Sequence, residues 1–358
     1  MPTTQPFLVY RDRIGVPSEI GFLRRQYIGF TRLQPIWTGR TLLPAASQLG
    51  APLLRLGGDG PLGPLHRILF RYFGHVPPLP PTAPILHAQF ARGGALALPL
   101  AHHLGLRMVV TLHGGDVSKQ KNWRGTVLAR RWPALVRKTE QFVCVSAAVA
   151  EVAASRGVPH DKLTVLPIGV EIPAQPPARA PTAHLFVGRF VEKKGIAVLA
   201  EAMRRLRAQG DQTPLTCVGD GPLRPLLETL ARETSGITLT GWLSPNAVRT
   251  HMTQAVSLVV PSIIAADGDA EGLPSVIPEA MAQACPVIGS DQGGIAEAIR
   301  HNQTGLLVPP GNAAALATAM HRITRDTTLG LAGFADATTT LNARIQSEKL
   351  ETLLLGFV

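Results

Sequence analysis

Short apolar runs alternate with longer amphipathic stretches throughout the first half of the chain. The runs do not switch between polar and apolar residues, which is typical of parallel strands buried on both faces of a sheet. The longer stretches repeat their apolar residues every three to four positions and therefore predict helices. The predicted strands are 7–10, 85–87, 108–112, 142–145 and 163–166, and the predicted helices are 94–104, 124–138 and 147–156.

The alternation restarts after a proline-rich segment at 172–181, which predicts a linker between two domains. Strand–helix–strand alternation on both sides of it predicts two doubly wound α/β folds of the Rossmann type. The predicted strands of the second domain are 184–187, 215–218, 237–239, 258–260 and 287–288, and its predicted helices are 196–208, 223–233, 275–284 and 313–325. The predicted divisions are a first domain over 1–172, a linker over 173–182, a second domain over 183–338 and a C-terminal helix over 339–358.

The composition agrees with two buried cores, because 45% of the 358 residues are hydrophobic. The three cysteines, Cys144, Cys217 and Cys285, lie far apart in apolar stretches without metal-binding spacing. They are therefore expected to be buried side chains in a reducing compartment. The sequence begins without the pattern of a signal peptide, and no apolar run approaches the roughly 18 to 20 residues of a spanning helix. We expect a cytoplasmic protein.

The positive charge is concentrated in the first half of the chain. Residues 1–172 hold 20 Lys and Arg against 8 Asp and Glu, whereas residues 173–358 hold 15 against 16. An anionic partner of the first half is therefore expected: a membrane surface, a phosphate-bearing acceptor or a nucleic acid. Nucleic acid is disfavoured, because aromatic residues make up only 5% of the chain and no nucleic-acid-binding signature is present.

Two glutamates, Glu271 and Glu279, follow the predicted strand 258–260 and stand eight positions apart. On a helix of ~3.6 residues per turn this spacing puts both carboxylates on one face, where one can reach a sugar hydroxyl and the other a ribose. A helix that begins after Gly272 also offers unpaired backbone N–H groups to a diphosphate. The alternative interpretation is a solvated acidic face.

Two cations, Arg189 and Lys194, follow the predicted strand 184–187. They leave the sheet at its carboxyl edge, where open α/β sheets bind ligands. There they can neutralise the phosphates of a nucleotide leaving group, although two solvated bases would have the same pattern. The glycines of 218–222 permit a ligand to approach the backbone at a neighbouring turn.

In the first domain, the strand 108–112 delivers His113 to its carboxyl end, and two glycines and Asp116 follow. An imidazole in this position can face a reacting sugar, and Asp116 can orient either the ring or an acceptor. The alternative is a structural histidine.

Taken together, these segments strongly resemble the retaining family-four glycosyltransferases of GT-B fold. The resemblance covers the second domain almost continuously. In the first domain, 86–106 and His113–Asp116 resemble bacterial exopolysaccharide members of the colanic-acid type. The segments of the second domain that carry the resemblance are 187–195, 218–222, 239–243, 271–279, 289–294 and 304–309.

The resemblance implies two Rossmann-like domains that face each other across a cleft, with the C-terminal helix returning to the first domain. It also implies a nucleotide-diphosphate sugar as donor, such as GDP-mannose or a UDP-hexose, and transfer with retention of the anomeric configuration. No cofactor and no metal are implied, and the metal-like spacing of Asp267-Gly268-Asp269 is interpreted as a loop.

The resemblance also assigns roles to individual residues. Arg189 and Lys194 are expected to stabilise the departing diphosphate, whereas Glu271 is expected to bind hydroxyls of the donor sugar. His113 is expected near that sugar, where it supports developing charge. The remaining donor-binding residues implied are Gly15, Gly272, Leu273, Pro274 and Glu279, the last at the ribose.

The acceptor is assigned by the same resemblance to the first domain, where Ser18, Glu19 and Asp116 are its candidate ligands. Because this domain is basic and 65–73 is basic and amphipathic, we expect a polyprenyl-diphosphate-linked oligosaccharide as acceptor and an anionic membrane surface as partner. A core helix with a solvated basic edge is the alternative for 65–73.

Two positions depart from the pattern of the family: Ile168, where many members carry Asn, and Pro278, where many carry an aliphatic residue. Pro278 is expected either to perturb the first turns of its helix or to mark where the helix begins. A sugar-nucleotide-binding protein without transferase activity, or an epimerase, therefore stays an alternative to a transferase.

Overall fold

The computed structural model describes residues 4–56, 68–70, 72–74, 79, 81–324 and 328–358. The chain folds into two units, of which the first comprises Met1–Gly169 with Ala343–Val358 and the second comprises Val170–Asn342. The boundary follows Gly169, so the proline-rich segment predicted as a linker belongs to the second unit. Backbone hydrogen bonds hold this segment there, from Val170 N–H to Leu341 O (2.7 Å) and from Thr182 N–H to Gln254 O (2.8 Å).

The first unit is built around a parallel sheet of seven strands among the described residues, in the order β5-β3-β1-β6-β7-β8-β9. The order runs in opposite directions from β1, which creates a switch point between β1 and β6. Two further short strands, β2 and β4, pair with each other in a separate two-stranded sheet. The strands of the unit are β1 Gln5–Tyr10, β2 Arg13–Ile14, β3 Leu33–Gly39, β4 Thr41–Leu42, β5 Leu53–Arg55, β6 Ile85–Gln89, β7 Arg107–Leu112, β8 Thr139–Cys144 and β9 Leu163–Val165. The helices are α1 Pro17–Arg25, α2 Ala91–His103, α3 Gly115–Ser118, α4 Val127–Lys138 and α5 Ala147–Ser155.

The C-terminal helix, Ala343–Leu355, completes the first unit, as the resemblance implied. Its buried Glu351 carboxylate accepts the backbone N–H groups of Thr31, Arg32 and Leu33 at 2.7 to 2.9 Å, just before β3. Leu350 and Leu354 belong to the core of the unit. The C-terminal helix therefore stabilises the start of strand β3 in the N-terminal part of the chain.

The second unit has a parallel sheet of six strands in the part of the chain that the structure describes, in the order β12-β11-β10-β13-β14-β15. Its switch point lies between β10 and β13, so the loops after these strands line the place where such sheets bind ligands. The strands are β10 Ala183–Val187, β11 Leu215–Val218, β12 Ile237–Gly241, β13 Ala255–Val260, β14 Val287–Ser290 and β15 Leu306–Val308. The helices are α6 Ile196–Ala208, α7 Arg224–Glu233, α8 Pro245–Thr253, α9 Val276–Met281, α10 Gly293–Ala298, α11 Ala313–Ile323 and α12 Thr328–Thr340.

Two parallel, doubly wound units confirm the predicted fold class. All three cysteines are buried and unbridged, and burial raises the pKa of Cys144 and of Cys217 to about 12. Within the described ranges, no helix combines the length and the hydrophobicity needed to cross a bilayer.

Candidate active site

The loops that follow β10 and β13 in the second unit are packed against each other. Gly195, at the start of α6, has a φ of +67°, and a Cβ atom there would lie 1.8 Å from the carbonyl oxygen of Pro261. Only glycine fits this position. The N–H of Ile263 also donates to the carbonyl oxygen of Lys193 at 2.9 Å. The two loops therefore form one continuous surface at the switch point.

An ion cluster joins these two loops. Lys194 Nζ lies 3.2 Å and Lys193 Nζ 3.5 Å from the same oxygen of Glu271, Oε1. Lys193 Nζ also donates to Asp269 Oδ1 at 3.1 Å. Burial acts to raise the pKa of Glu271, but the positive charges of Lys194 and Lys193 outweigh it and lower this pKa. Glu271 is therefore ionised at neutral pH, and Lys194 is the counter-ion of Glu271 as well as a candidate phosphate ligand.

The Oε1 atom of Glu271 is buried and accepts no well-directed hydrogen bond in the described part of the chain. The ammonium groups of Lys194 and Lys193 lie within ion-pair distance of this oxygen, at 3.2 and 3.5 Å. A carboxylate oxygen can accept a further hydrogen bond beside such contacts. A hydroxyl group of a bound sugar is a suitable donor.

Arg189 is exposed at the carboxyl end of β10, and among the described residues its guanidinium has no ion-pair or hydrogen-bond partner. Its five N–H donors are therefore available to a phosphate. Of the two cations predicted to hold a diphosphate, Arg189 is open and Lys194 is already paired.

The backbone N–H groups of Gly272, Leu273, Ser275 and Val276 have no hydrogen-bond partner among the residues that the structure describes. They precede or open α9, which is only six residues long, so its dipole is small and the N–H groups themselves are the useful donors. These donors lie next to Glu271 in the chain, as the sequence predicted for a diphosphate site.

Pro278 occupies the third position of α9 and is buried. A residue in the first turn of a helix needs no amide hydrogen for an intrahelical bond, so proline is accommodated there. Of the two expectations for Pro278, the structure favours the second: it marks the start of the helix. Glu279 follows in that first turn, with its N–H bonded to Ser275 O at 3.2 Å.

The Asp267-Gly268-Asp269 segment forms a turn, as the loop interpretation predicted. Asp269 N–H donates to Asp267 Oδ1, and Ala265 N–H donates to Asp269 O. Gly268 has a φ of +76°, which suits glycine. Within the described ranges, no group of three or more His, Cys, Asp or Glu side chains could hold a metal ion.

In the first unit, His113 follows β7 directly and its ring is partly buried. Nε2 lies 2.9 Å from Gln89 Oε1, and the ring packs against Phe90 with centroids 4.2 Å apart and planes tilted by 35°. Burial, with the nearby charge of Arg11, lowers the pKa of His113 to about 3. The imidazole is therefore neutral at pH 7 and offers a hydrogen-bonding nitrogen rather than a positive charge.

Asp116 fixes the backbone around His113. One carboxylate oxygen accepts His113 N–H at 3.0 Å and the other accepts Ala91 N–H at 2.8 Å. Asp116 thereby ties the end of β7 to the first residue of α2 and holds the backbone of His113. Its predicted roles toward the imidazole ring and toward an acceptor stay predictions. Both oxygens are already hydrogen-bonded, which leaves less capacity for the predicted contact with an acceptor.

Three other predicted site residues lie on or just before α1. Gly15 has a φ of +93°, and a Cβ atom there would meet the backbone of Ala46 at 2.5 Å, so internal packing already requires glycine. Glu19 forms a two-pronged ion pair with Arg11 at 2.7 and 2.8 Å. Ser18 is exposed. Their roles toward donor and acceptor stay predictions.

Three residues that were not predicted as site residues, Lys193, Gln89 and Tyr27, contact predicted site residues or their partners. The sequence did contain an indication for Gln89. Two polar residues, His87 and Gln89, stand two positions apart at the end of an apolar strand, so their side chains lie on the same face of the sheet. Tyr27 gave no comparable signal, because its role depends on the position of α1 against the sheet.

The fold is that of solved glycosyltransferases of GT-B type. The Anabaena protein HepE, crystallised with UDP-glucose, matches with a TM-score of 0.80 at 16% identity over 98% of this chain and 100% of that chain. Sucrose-phosphate synthase from Thermosynechococcus elongatus matches with a TM-score of 0.71 at 22% identity over 98% of both chains. The two units thus define a GT-B fold.

Sequence comparison narrows the class to a family. Residues 181–326 match the model of group 1 glycosyl transferases, and residues 60–172 match that of glycosyltransferase family 4. An amylovoran biosynthesis glycosyltransferase of Erwinia amylovora is 31% identical over 77% of this chain and 70% of its own length. A Salmonella typhimurium protein named for colanic acid biosynthesis is 32% identical over 69% of this chain and 63% of its own length. The chain belongs to the family-four glycosyltransferases, which are retaining enzymes of GT-B fold.

Proposed function

We propose that this glycosyltransferase moves a hexose from a nucleotide-diphosphate sugar, GDP-mannose or a UDP-hexose, to a polyprenyl-diphosphate-linked glycan in exopolysaccharide biosynthesis. The class of sugar donor is supported by one observation: cationic side chains and backbone N–H groups come together in the loops after β10 and β13, at the switch point of the sheet. The adjacent loops there hold Lys194 beside Glu271. They also hold the Arg189 guanidinium and the N–H groups of Gly272 and Leu273, which have no partner among the residues that the structure describes. The relative named for amylovoran synthesis and the UDP-glucose complex of HepE support the pathway and the donor class.

The chemistry follows from where charge develops. As the bond between the anomeric carbon and the phosphate loosens, negative charge accumulates on the departing diphosphate. Fixed cations and N–H groups that already point at this charge stabilise the transition state more than the ground state. Glu271 is ionised, and its carboxylate oxygens accept hydrogen bonds, so it is suited to hold hydroxyl groups of the donor sugar. Arg189 and Lys194 supply the positive charge.

The donor is tested by thermal shift with a panel of nucleosides, nucleoside diphosphates and sugar nucleotides. A ligand at 100 times its Kd stabilises the protein by about 2.7 kcal/mol, so the true donor and its diphosphate should raise Tm, whereas the nucleoside should not. Each hit is then incubated with a polyprenyl-diphosphate-linked acceptor, and the anomeric configuration of the product is read by NMR. Stabilisation by a sugar nucleotide without any transfer or hydrolysis would favour a binding protein, and an epimerised donor would favour an epimerase.

The acceptor class is supported by the charge of the first half of the chain, 20 Lys and Arg against 8 Asp and Glu over residues 1–172. The segment 65–73 lies partly outside the described residues. Of its described members, Ile68 and Phe73 expose 52% and 66% of their surface. Exposed apolar groups beside an excess of positive charge favour contact with an anionic lipid surface.

Membrane contact is tested by co-sedimentation with vesicles of phosphatidylglycerol and phosphatidylcholine. We expect binding that grows with the anionic fraction and falls with salt, because the Debye length shrinks from about 10 Å at 0.1 M to about 3 Å at 1 M. Replacing Ile68 and Phe73 by Ser should weaken binding, whereas Leu331→Ser, at an exposed site of the second unit, should not. Protein that stays in the supernatant with every vesicle would remove the lipid surface from the proposal.

A further inference from the structure

Five buried side chains of the first unit close a ring of hydrogen bonds. They come from the two residues that follow α1 (Gln26 and Tyr27), from β6 (His87 and Gln89) and from β7 (Thr111). The five links are His87 Nε2 to Thr111 Oγ1 (2.7 Å), Tyr27 Oη to His87 Nδ1 (2.8 Å), Gln89 Nε2 to Tyr27 Oη (2.6 Å), Gln89 Nε2 to Gln26 Oε1 (2.8 Å) and Gln26 Nε2 to Thr111 Oγ1 (3.2 Å).

When His87 is neutral, all five links are satisfied with only one orientation of the two glutamine amides, in which Gln89 Nε2 donates to Tyr27 and to Gln26 and Gln26 Nε2 donates to Thr111. Either tautomer of His87 fits this orientation: Tyr27 donates to Nδ1 and Nε2–H donates to Thr111, or Nδ1–H donates to Tyr27 and Thr111 donates to Nε2. If both amides were flipped, the hydroxyl of Thr111 would be needed twice, once by Gln26 and once by His87, and one link would lack a proton. Flipping a single amide would bring two like atoms together. Burial, which lowers the pKa of His87 to about 3, keeps this imidazole neutral.

The ring therefore fixes the amide of Gln89 with both N–H groups turned inward and Oε1 turned outward. That oxygen faces His113 Nε2 at 2.9 Å. A carbonyl oxygen only accepts hydrogen bonds, so Nε2 of His113 must carry the proton. In a neutral imidazole the other nitrogen, Nδ1, is then an acceptor. In the described part of the chain, Nδ1 of His113 has no hydrogen-bond partner.

We infer that Gln89 is a positioning residue for the transfer reaction: held by the ring, it fixes His113 as the Nε2–H tautomer and presents Nδ1 as an acceptor for a sugar hydroxyl. The inference rests on the proposed function only for the identity of the hydroxyl group that Nδ1 of His113 would accept. Phe90 packs against the imidazole and limits its rotation, and Asp116 holds the backbone N–H of His113. The nearby guanidinium of Arg11 is paired with Glu19, and it further disfavours a protonated His113.

The tautomer is measured on the full-length protein by ¹⁵N NMR of labelled histidines, with the His113 signals assigned by their loss in His113→Gln. The wild type should show a protonated Nε2 and an unprotonated Nδ1 at neutral pH. Gln89→Met, which keeps the volume but removes the accepting oxygen, should give a mixture of tautomers. The exposed Gln303→Met is the matched control and should leave the spectrum unchanged. A wild-type His113 protonated on Nδ1 would overturn the inference, whatever the enzyme transfers.

Kinetics then test what the tautomer does. Gln89→Met should lower kcat by about 10-fold, the effect of one hydrogen bond of ordinary strength, and should change the donor KM little. Tyr27→Phe, which opens the ring but keeps Gln89, should give a smaller loss of kcat and a partial tautomer shift.

Two substitutions of His113 separate its nitrogens. Asn places an amide where Nδ1 stands, whereas Gln places one near Nε2. Asn should therefore retain about 10-fold more kcat/KM than Gln, and adding Gln89→Met to His113→Asn should cost little more. Equal loss in the two variants, or a larger loss with Asn, would contradict a role for Nδ1. A wild type that transfers no hexose would refute the proposed function but leave the tautomer measurement standing.

Discussion

Lys194 Nζ lies 3.2 Å from Glu271 Oε1, so a cation that follows β10 is neutralised by a carboxylate that follows β13. Lys194 thus has the Glu271 carboxylate as its partner in this structure. In the proposed function it would also contact a phosphate of the bound donor. The contact with Lys194 also explains why Glu271 stays ionised although only 12% of its side chain is exposed.

We expect Glu271→Gln to abolish most of the transfer activity and to destabilise the protein by about 1–3 kcal/mol, because two ammonium groups lose their shared partner. In a double-mutant cycle, Lys194→Met combined with Glu271→Gln should cost less than the sum of the single changes by about 1 kcal/mol. Urea unfolding measures both. The exposed pair of Arg205 and Glu201 is the control and should couple by less than 1 kcal/mol. Strict additivity at Lys194 and Glu271 would contradict the ion pair.

Arg189→Gln should leave stability unchanged, because in the described part of the chain the guanidinium has no partner to lose. It should weaken the binding of a nucleoside diphosphate by about 10- to 100-fold, which is the value of a charged hydrogen bond, and leave that of the nucleoside unaffected. Calorimetric titration of both ligands tests this prediction. Arg322→Gln removes the same charge from an exposed site on α11 and should bind both ligands as the wild type does. If both variants bound the nucleoside diphosphate equally weakly, the loss of affinity would come from the lower net charge of the protein and not from a contact of Arg189.

Asp116→Asn should lower kcat, because an amide cannot accept from both the His113 and the Ala91 N–H groups. The loss of one buried acceptor should also destabilise the protein by about 1–3 kcal/mol. The exposed Asp161→Asn controls for charge. Steady-state kinetics with varied acceptor distinguishes the two predicted roles of Asp116. A rise in the acceptor KM at unchanged kcat would support a direct acceptor contact instead of orientation of His113.

Two fully buried histidines make the protein sensitive to acid. Burial lowers the pKa of His87 to about 3 and that of His184 to about 4. Both folded-state values lie below the ordinary value near 6.5, so the unfolded chain takes up protons first and stability falls as pH falls through this window. Between pH 6 and 4, each histidine should remove about 1.4 kcal/mol of unfolding free energy per pH unit.

The variant His184→Asn keeps a polar group for Ser257, the partner of Nδ1 at 2.9 Å, and cannot take up a proton. Its unfolding free energy, measured in urea across this pH range, should therefore fall less steeply than that of the wild type. His102→Asn, at an exposed position on α2, should leave the slope unchanged. Identical slopes in all three proteins would show that His184 does not titrate on unfolding.

The strands and most helices were predictable because buried parallel strands are continuous apolar runs, as in 108–112 and 215–218. The strand Leu33–Gly39 was missed, because its proline and polar residues interrupt the apolar pattern. The C-terminal helix was predicted to start at 339 but starts at Ala343, after α12 ends at Thr340. Where one helix follows another so closely, periodicity does not show the break.

The candidate site was predictable where it depends on the ends of strands, and less so where it depends on tertiary contacts. The sequence pointed to Arg189, Glu271 and His113 because each follows a strand or its loop. It could not show that Lys194 is paired with Glu271 or that Gln89 contacts His113. Each contact joins side chains that are far apart in the sequence and meet only in the folded protein. The roles of Arg189, Glu271 and His113 in binding and catalysis stay predictions.

The contact between Gly195 and Pro261 has a mechanical consequence. There is no space for even a methyl group between them, and Ile263 N–H donates to the carbonyl oxygen of Lys193 at 2.9 Å. The turn that carries Lys194 is therefore packed against and hydrogen-bonded to the loop that leads to Glu271. If a sugar nucleotide binds here as proposed, this wall of the site would need little rearrangement on binding.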